Sequence, residues 1–300
     1  MFVMRIVSFF TAIGAFFTAL FGGYSDVYIN NYVKINMIYG KEERQVLDLY
    51  LPKKAEDETG LVMLIHGGAW IMGDKESYRN ELKFWSDRGY AAAAVNYRYV
   101  SESSDMKNIL EDITSALAKI KSFGKKKKVN INKVLFTGSS AGAHLSMLYA
   151  YSKADESPIK PAAVVEFCGP VDLSNPELVY GKDYQGNLLG DENVMTDLLS
   201  KCCGKTITPE NLEGSKEMLL EISPLNYLNK NVVPTVIAHG ASDHVVPYGD
   251  AVTLDRELTK YGVKHDFVTY SNSDHGLESD PESAEAARQL FIEYAENYLK

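Results

Sequence analysis

From Tyr32 onward the chain alternates two kinds of segment, and this alternation constrains its fold more than any other feature. Apolar runs closed by glycine or a polar residue, "GLVMLIHGG", "YAAAAVNYRY", "KVLFTG", "PAAVVEFCG", "PTVIAHG" and "KHDFVTYS", have the character of strands, the first two of strands buried on both faces. Between them lie helix-period stretches. In Asp105 to Ser122, Ile109, Ile113, Leu117 and Ile120 share one face. Two earlier runs, "YVKINMIYG" and "RQVLDLYLP", read as a hairpin turning at "GKEE". The pattern predicts an α/β fold: a mainly parallel eight-stranded sheet with helices on both faces. No repeat and no Pro/Gly/Ser-rich linker divides residues 32–300, so one domain is expected there. Residues 172–232 separate two strands by far more chain than a crossover needs, and they are expected to form an inserted cap.

Three hundred residues, 45% hydrophobic and 24% charged, suffice for a sizeable core. The formal net charge of −9 argues against nucleic acid as a partner, because a phosphate backbone demands a basic face. The one basic run, Lys125 to Lys128, reads as a solvated loop. Cys168, Cys202 and Cys203 form neither a paired framework nor a metal-spaced set, so no disulfide, metal or cofactor is expected.

Residues 1–31 read as a hydrophobic helix. Ile6 to Gly23 carries no charge, and Ile6, Phe9, Phe10, Ile13, Phe16, Phe17, Leu20 and Phe21 recur at helical spacing. Two readings stay open: a retained helix docked on the protein as a lid, or a signal or membrane anchor. The first implies a cytoplasmic protein, the second a secreted or anchored one. Any membrane association would run through residues 6–23.

"FTGSSAGAHLS" places a sharp turn, Gly138 to Gly142, between a strand and a helix. Ser140 is the centre of a G-x-S-x-G pattern. A nucleophile on so tight a turn needs small residues two positions to either side, and the following helix start supplies N–H groups to a developing negative charge. The same pattern also serves as a plain packing turn, so the rest of the machinery must be found.

Serine needs a base, and the base an orienting acid. His275, in "SNSDHGLES", follows the strand "HDFVTYS", where a base in such a sheet belongs; His265 opens that strand and so sits at its far end. Asp243 follows "VIAHG" and is the expected acid, with Asp250 as competitor in the next helix. His239 lies inside a strand end, and His144 one turn beyond the serine. Gly67 and Gly68 of "LIHGGAW", with the N–H of Ala141, are expected to form the oxyanion hole, and His66 to brace that loop.

"HGGAW", "GDK", "NYRY", "GSSAGAHLS", "FCGPVDL", "SPLNYL", "HGASDHVVP" and "SDHG" together resemble the α/β-hydrolase superfamily over residues 32 to 300. The likeness is to its HGGxW/GxSAG branch of hormone-sensitive-lipase-like carboxylesterases and feruloyl- or acetyl-esterase-like enzymes. It implies Ser140 as nucleophile, His275 as base, Asp243 as acid, and Gly67, Gly68 and Ala141 as hole donors. It implies a carboxylesterase acting on a small-molecule ester through an acyl-enzyme, without a cofactor. An amide-cleaving relative, an arylformamidase or exopeptidase, is the alternative, and a non-catalytic interaction module a further one. The N-terminal helix and the cap are not shared patterns, so the resemblance does not carry over a substrate.

Overall fold

Every run that reads as a strand enters one sheet in the computed structural model, which describes residues 32–53, 58–180 and 192–300. The expected helix within 1–31 lies outside the described residues. In chain order the elements are β1 (Tyr32–Ile38), β2 (Val46–Leu51), β3 (Leu61–Ile65), α1 (Arg79–Asp87), β4 (Ala91–Val95), α2 (Met106–Lys126), β5 (Lys133–Ser139), α3 (Ala141–Ser152) and β6 (Lys160–Phe167). After β6 come α4 (Pro176–Tyr180), α5 (Glu192–Cys203) and α6 (Lys216–Glu221), then β7 (Thr235–Gly240), α7 (Tyr248–Tyr261), β8 (His265–Tyr270) and α8 (Pro281–Leu299). The sheet order is β1-β2-β4-β3-β5-β6-β7-β8. β2 runs antiparallel to both its neighbours, and every other pairing beyond it is parallel.

Period-two side chains sort the core into two layers. Leu61, Met63 and Ile65 of β3 pack with Ile109, Ile113, Leu117 and Ile120 of α2, with α3 and with α7. Val62 and Leu64 pack on the other face with Leu82 and Trp85 of α1 and with Phe291 and Tyr294 of α8. Each such side chain, when fully buried, contributes about 1.5–3 kcal/mol.

Two boundaries differ from the sequence expectation. Helix α2 begins with a reciprocal cap, in which Asn108 N donates to Asp105 Oδ1 and Asp105 N to Asn108 Oδ1, and it then runs through Lys126. Lys125 and Lys126 therefore belong to its last turn, where cations complement the helix dipole, and not to a loop. At the end of β4 the segment "NYRY" leaves the sheet. Tyr97 OH donates to His66 O (2.9 Å), and Arg98 Nη2 to Asp112 Oδ1 (2.6 Å) on α2.

Between β6 and β7 the chain makes a long excursion of short helices. Its interior contributes Leu199, Cys202, Leu219 and Ile222 to the α2/α3 layer. Its two feet are fastened together: Leu173 N donates to Ser223 Oγ (2.9 Å) and Leu225 N to Val171 O (3.1 Å). Asp250, at the start of α7, holds the outgoing foot by accepting from Val171 N (2.8 Å) and Asn175 Nδ2 (2.8 Å).

Two buried carboxyls make stability pH-dependent. Burial pushes Glu81 of α1 up to about 7, and burial pushes Glu166 of β6 up to about 7 against the opposing influence of His239. Unfolded glutamates titrate near pH 4.3. The folded-state value is raised, so this stability is fully present below about pH 4.3 and is lost as pH rises through about 7. A tenfold change in proton affinity corresponds to about 1.4 kcal/mol, which puts on the order of 3 kcal/mol at stake for Glu81. Calorimetric midpoints between about pH 5 and pH 8 should fall more steeply for the parent than for Glu81→Gln. Parallel slopes for the two proteins would refute this assignment.

Candidate active site

Ser140 sits between the last residue of β5 and the first of α3, at φ 54° and ψ −123°. A non-glycine residue there costs about 1–3 kcal/mol, which the surroundings must overcome. They do so by close packing. A Cβ added to Gly142 would lie 2.0 Å from Ile65 O, and one added to Gly138 2.3 Å from the same oxygen. The small residues flanking the serine are thus required by the contact of turn, helix and β3. Ser140 N donates to Phe167 O (2.8 Å), tying the turn to β6. Ser139 belongs to the strand and Ser140 to the turn.

The loops that carry Asp243 and His275 leave β7 and β8, at the same edge of the sheet. His275 Nδ1 and Asp243 Oδ2 lie 2.7 Å apart, and both side chains are buried. Asp243 Oδ1 accepts from Val245 N (2.8 Å) and Val246 N (2.9 Å), which fixes the carboxylate plane. Burial alone would raise the Asp243 pKa; the neighbouring His275 and His239 outweigh it and hold the carboxyl well below the usual range. Asp274 joins the two loops, accepting from His244 N (2.9 Å) and His275 N (2.7 Å) on one oxygen. Asp280 closes the base loop from behind, accepting from Ser273 Oγ (2.5 Å) and Asn272 Nδ2 (2.7 Å). Asp250 lies in the first turn of α7 and holds the excursion, as described above, and not the base.

The "HGGAW" loop is built from unusual backbone. Gly68 has φ 119°, and Ala69 and Trp70 follow at 47° and 59°. Gly68 O accepts from Ile71 N and Met72 N, both at 3.0 Å. A Cβ on Gly68 would fall 2.2 Å from Met72 O, and one on Gly67 2.8 Å from Ser139 O. Both glycines are therefore demanded by the loop's own closure and by its approach to the serine turn. His66 Nδ1 lies 2.8 Å from Gly67 O, and its Nε2 lies 3.2 Å from Arg44 Nη2. Arginine can only donate, so Nε2 accepts and Nδ1–H donates to Gly67 O. In a trans peptide the C=O and the following N–H point opposite ways. Holding Gly67 O thus aims the Gly68 N–H. Burial lowers the His66 pKa to about 4, consistent with a neutral brace.

His144, in α3, performs a second bracing task. Trp70 Nε1 donates to its Nδ1 (3.3 Å), so its Nε2–H donates to Ile222 O (2.8 Å). One buried imidazole links the glycine loop, the helix after Ser140 and the returning foot of the excursion. Burial lowers its pKa to about 4.

Sequence reasoning passed over two residues at this site. Arg44, on the β1–β2 hairpin, also donates to Tyr97 O (2.9 Å) and Gly73 O (3.1 Å), and nothing in its local sequence signals this. His239, set aside as part of a strand end, has Nε2 3.1 Å from Asp243 Oδ2. The recurrence of histidine four residues before the acid was the available signal. Donor atoms of Cys168, His239 and Asp243 lie within 4.8 Å of one another. They suit a metal poorly: His239 and Asp243 already satisfy each other, and burial holds the Cys168 thiol well above its ordinary pKa and so protonated. Among the described residues, no helix is long and apolar enough to cross a membrane, and residues 6–23 lie outside them.

Comparison with known proteins gives a consistent answer. The family model described as BD-FAE matches residues 47–258, and that of the dienelactone hydrolase family matches residues 219–298. A probable isoprenylcysteine alpha-carbonyl methylesterase of Arabidopsis thaliana is 24% identical over 284 residues, 90% of this chain and 57% of the relative. Esterase LipC of Mycobacterium tuberculosis is 24% identical over 228 residues, 74% of this chain and 54% of the relative. The chain thus spans a little over half the length of these curated relatives. Among solved structures, esterase B of Lactobacillus rhamnosis superposes with a TM-score of 0.71 at 19% identity, covering 98% of this chain and 96% of that one. A truncated carbohydrate esterase from gut microbiota superposes with a TM-score of 0.69 at 21% identity, covering 92% and 100%. These likenesses establish the α/β-hydrolase fold.

Proposed function

Because the chain belongs to the BD-FAE family, we propose that it is a serine hydrolase cleaving small carboxylic esters, of short or medium acyl or acetyl/feruloyl type, through an acyl-enzyme. The observation that carries this reading is the buried His275–Asp243 pair at 2.7 Å, at the strand edge where Ser140 sits on its strained turn. Relatives and structural neighbours named as esterases support it.

In this mechanism Asp243 holds His275 in the tautomer with Nδ1 protonated, and Nε2 takes the Ser140 proton as Oγ attacks the acyl carbon. The oxyanion is received by the Gly68 and Ala141 N–H groups with Gly67 beside them; as the first residue of α3, Ala141 has no intrahelical acceptor for its N–H. His275 then protonates the departing alcohol, and water repeats the cycle on the acyl-enzyme. Residues 172–232 act as the cap that selects substrate, because the returning foot of the excursion bonds through Ile222 O to His144, which also holds Trp70 of the glycine loop.

The test is a panel of p-nitrophenyl esters of graded acyl length set against formyl-kynurenine and dipeptides. Ester kcat/KM is expected to exceed amide kcat/KM by on the order of 100-fold or more. The reverse order would assign the chain to the amide-cleaving relatives, and no turnover of either class would reject the hydrolase reading.

A further inference from the structure

Beneath the acid lies a polar cluster that the steps above do not use. His239 Nε2 stands between two acceptors, Asp243 Oδ2 at 3.1 Å and Val246 O at 3.0 Å. A lone pair cannot face two acceptors, so Nε2 carries a proton and donates. The ring is fully buried, with Tyr248 of α7 edge-on to it and the Cys168 thiol within 4.8 Å, and it lies within the electrostatic influence of Glu166 of β6 and Asp250 of α7. Its Nδ1 has no hydrogen-bond partner among the described residues. Asp243 Oδ2 therefore serves two imidazoles at once, His275 at 2.7 Å and His239 at 3.1 Å, while Oδ1 serves two backbone N–H groups. A carboxylate with all four lone-pair directions occupied can neither turn nor offer its full charge to one partner.

We propose that His239 is a positioning residue for the reaction: by donating to the oxygen that also holds His275, it fixes the Asp243 carboxylate and limits how strongly that carboxylate favours a proton on His275. The inference rests on the triad reading above. Its consequence is that His275 stays in its base form to lower pH than a singly held acid would allow. Removing the shared donor gives Asp243 entirely to His275, so the imidazolium is stabilised and the base is lost at higher pH.

The pH profile of kcat/KM on p-nitrophenyl acetate tests this, with parent, His239→Leu and His239→Gln compared. His239→Leu is expected to move the acidic limb up by about 0.5–1 pH unit, a three- to tenfold loss below the limb, with a much smaller change above it. His239→Gln keeps an N–H donor and should move it less. An unmoved limb in a folded variant, or a uniform loss at every pH, overturns the proposal. Nitrogen NMR of the ¹⁵N-histidine-labelled parent needs no variant: His239 Nε2 is expected to remain protonated across the range, and finding it deprotonated overturns the proposal. In the variants the His275 ring should titrate at higher pH. That signal is independent of turnover, so a protein that cleaves no ester would sink the esterase reading while this one is still decided.

Discussion

Ser140→Ala is expected to lower ester turnover by about 10⁴-fold or more, leaving only what the oxyanion donors and binding supply. The thermal midpoint should hardly move. Ser140 bonds its neighbours through its backbone, with N donating to Phe167 O and O accepting from His144 N, and alanine keeps both contacts. Ser139→Ala is the control. Ser139 closes β5 and is buried in the strand, outside the turn that presents Ser140, the proposed nucleophile. Steady-state kinetics on the best ester of the panel decide the matter: retained activity in Ser140→Ala with loss in Ser139→Ala would show that the turn presents the other serine.

Asp243→Asn should cost kcat about 10⁴-fold as well, for a reason specific to this site. Two backbone N–H groups, Val245 and Val246, converge on Oδ1, and an asparagine will turn its carbonyl oxygen to them. Its NH₂ then faces His275 Nδ1, which is forced to accept, and the ring proton moves to Nε2. That nitrogen can no longer take the serine proton. Asp250→Asn should reduce kcat by less than about tenfold, because Asp250 binds the foot of the excursion while His275 is paired with Asp243; its cost should appear in the thermal midpoint. Equal losses of kcat from the two changes would leave the acid unassigned.

The residues legible in the sequence are those whose requirement is local. Gly138 and Gly142 flank Ser140 because the same few residues build the turn, and the order of Ser140, Asp243 and His275 follows from strands that each end in a loop at one edge. The inner strands were readable because each is a short, mostly apolar run, and the first two because a turn separates them. What escaped depends on side chains meeting across the fold. Arg44 reaches His66 from a hairpin 22 positions earlier, and Lys75 pairs with Asp48 at 2.9 Å in a buried ion pair between the "GDK" loop and β2. His239 precedes Asp243 by only four residues. Its role was still hidden, because strand periodicity does not tell that the chain turns back after Gly240 to set the carboxylate beneath the ring. The Lys125–Lys128 run misled because charge marks exposure and not the end of a helix.

The fastening of the excursion at its feet has an implication for how such a protein changes over time. Leu173 to Ser223 and Leu225 to Val171 bring the outgoing and returning chain to one point, and Asp250 and His144 pin that point to α7 and α3. The ends of everything between are thus held at a fixed spacing by bonds that belong to the base of the structure. Chain between those anchors can change without resetting the strained serine turn or the aim of the Gly68 amide, provided that Leu199, Cys202, Leu219 and the Ile222 carbonyl keep their places. On the proposal that residues 172–232 select substrate, selectivity and catalytic geometry are inherited on separate stretches of sequence, and the pair Leu173/Ser223 marks the seam between them.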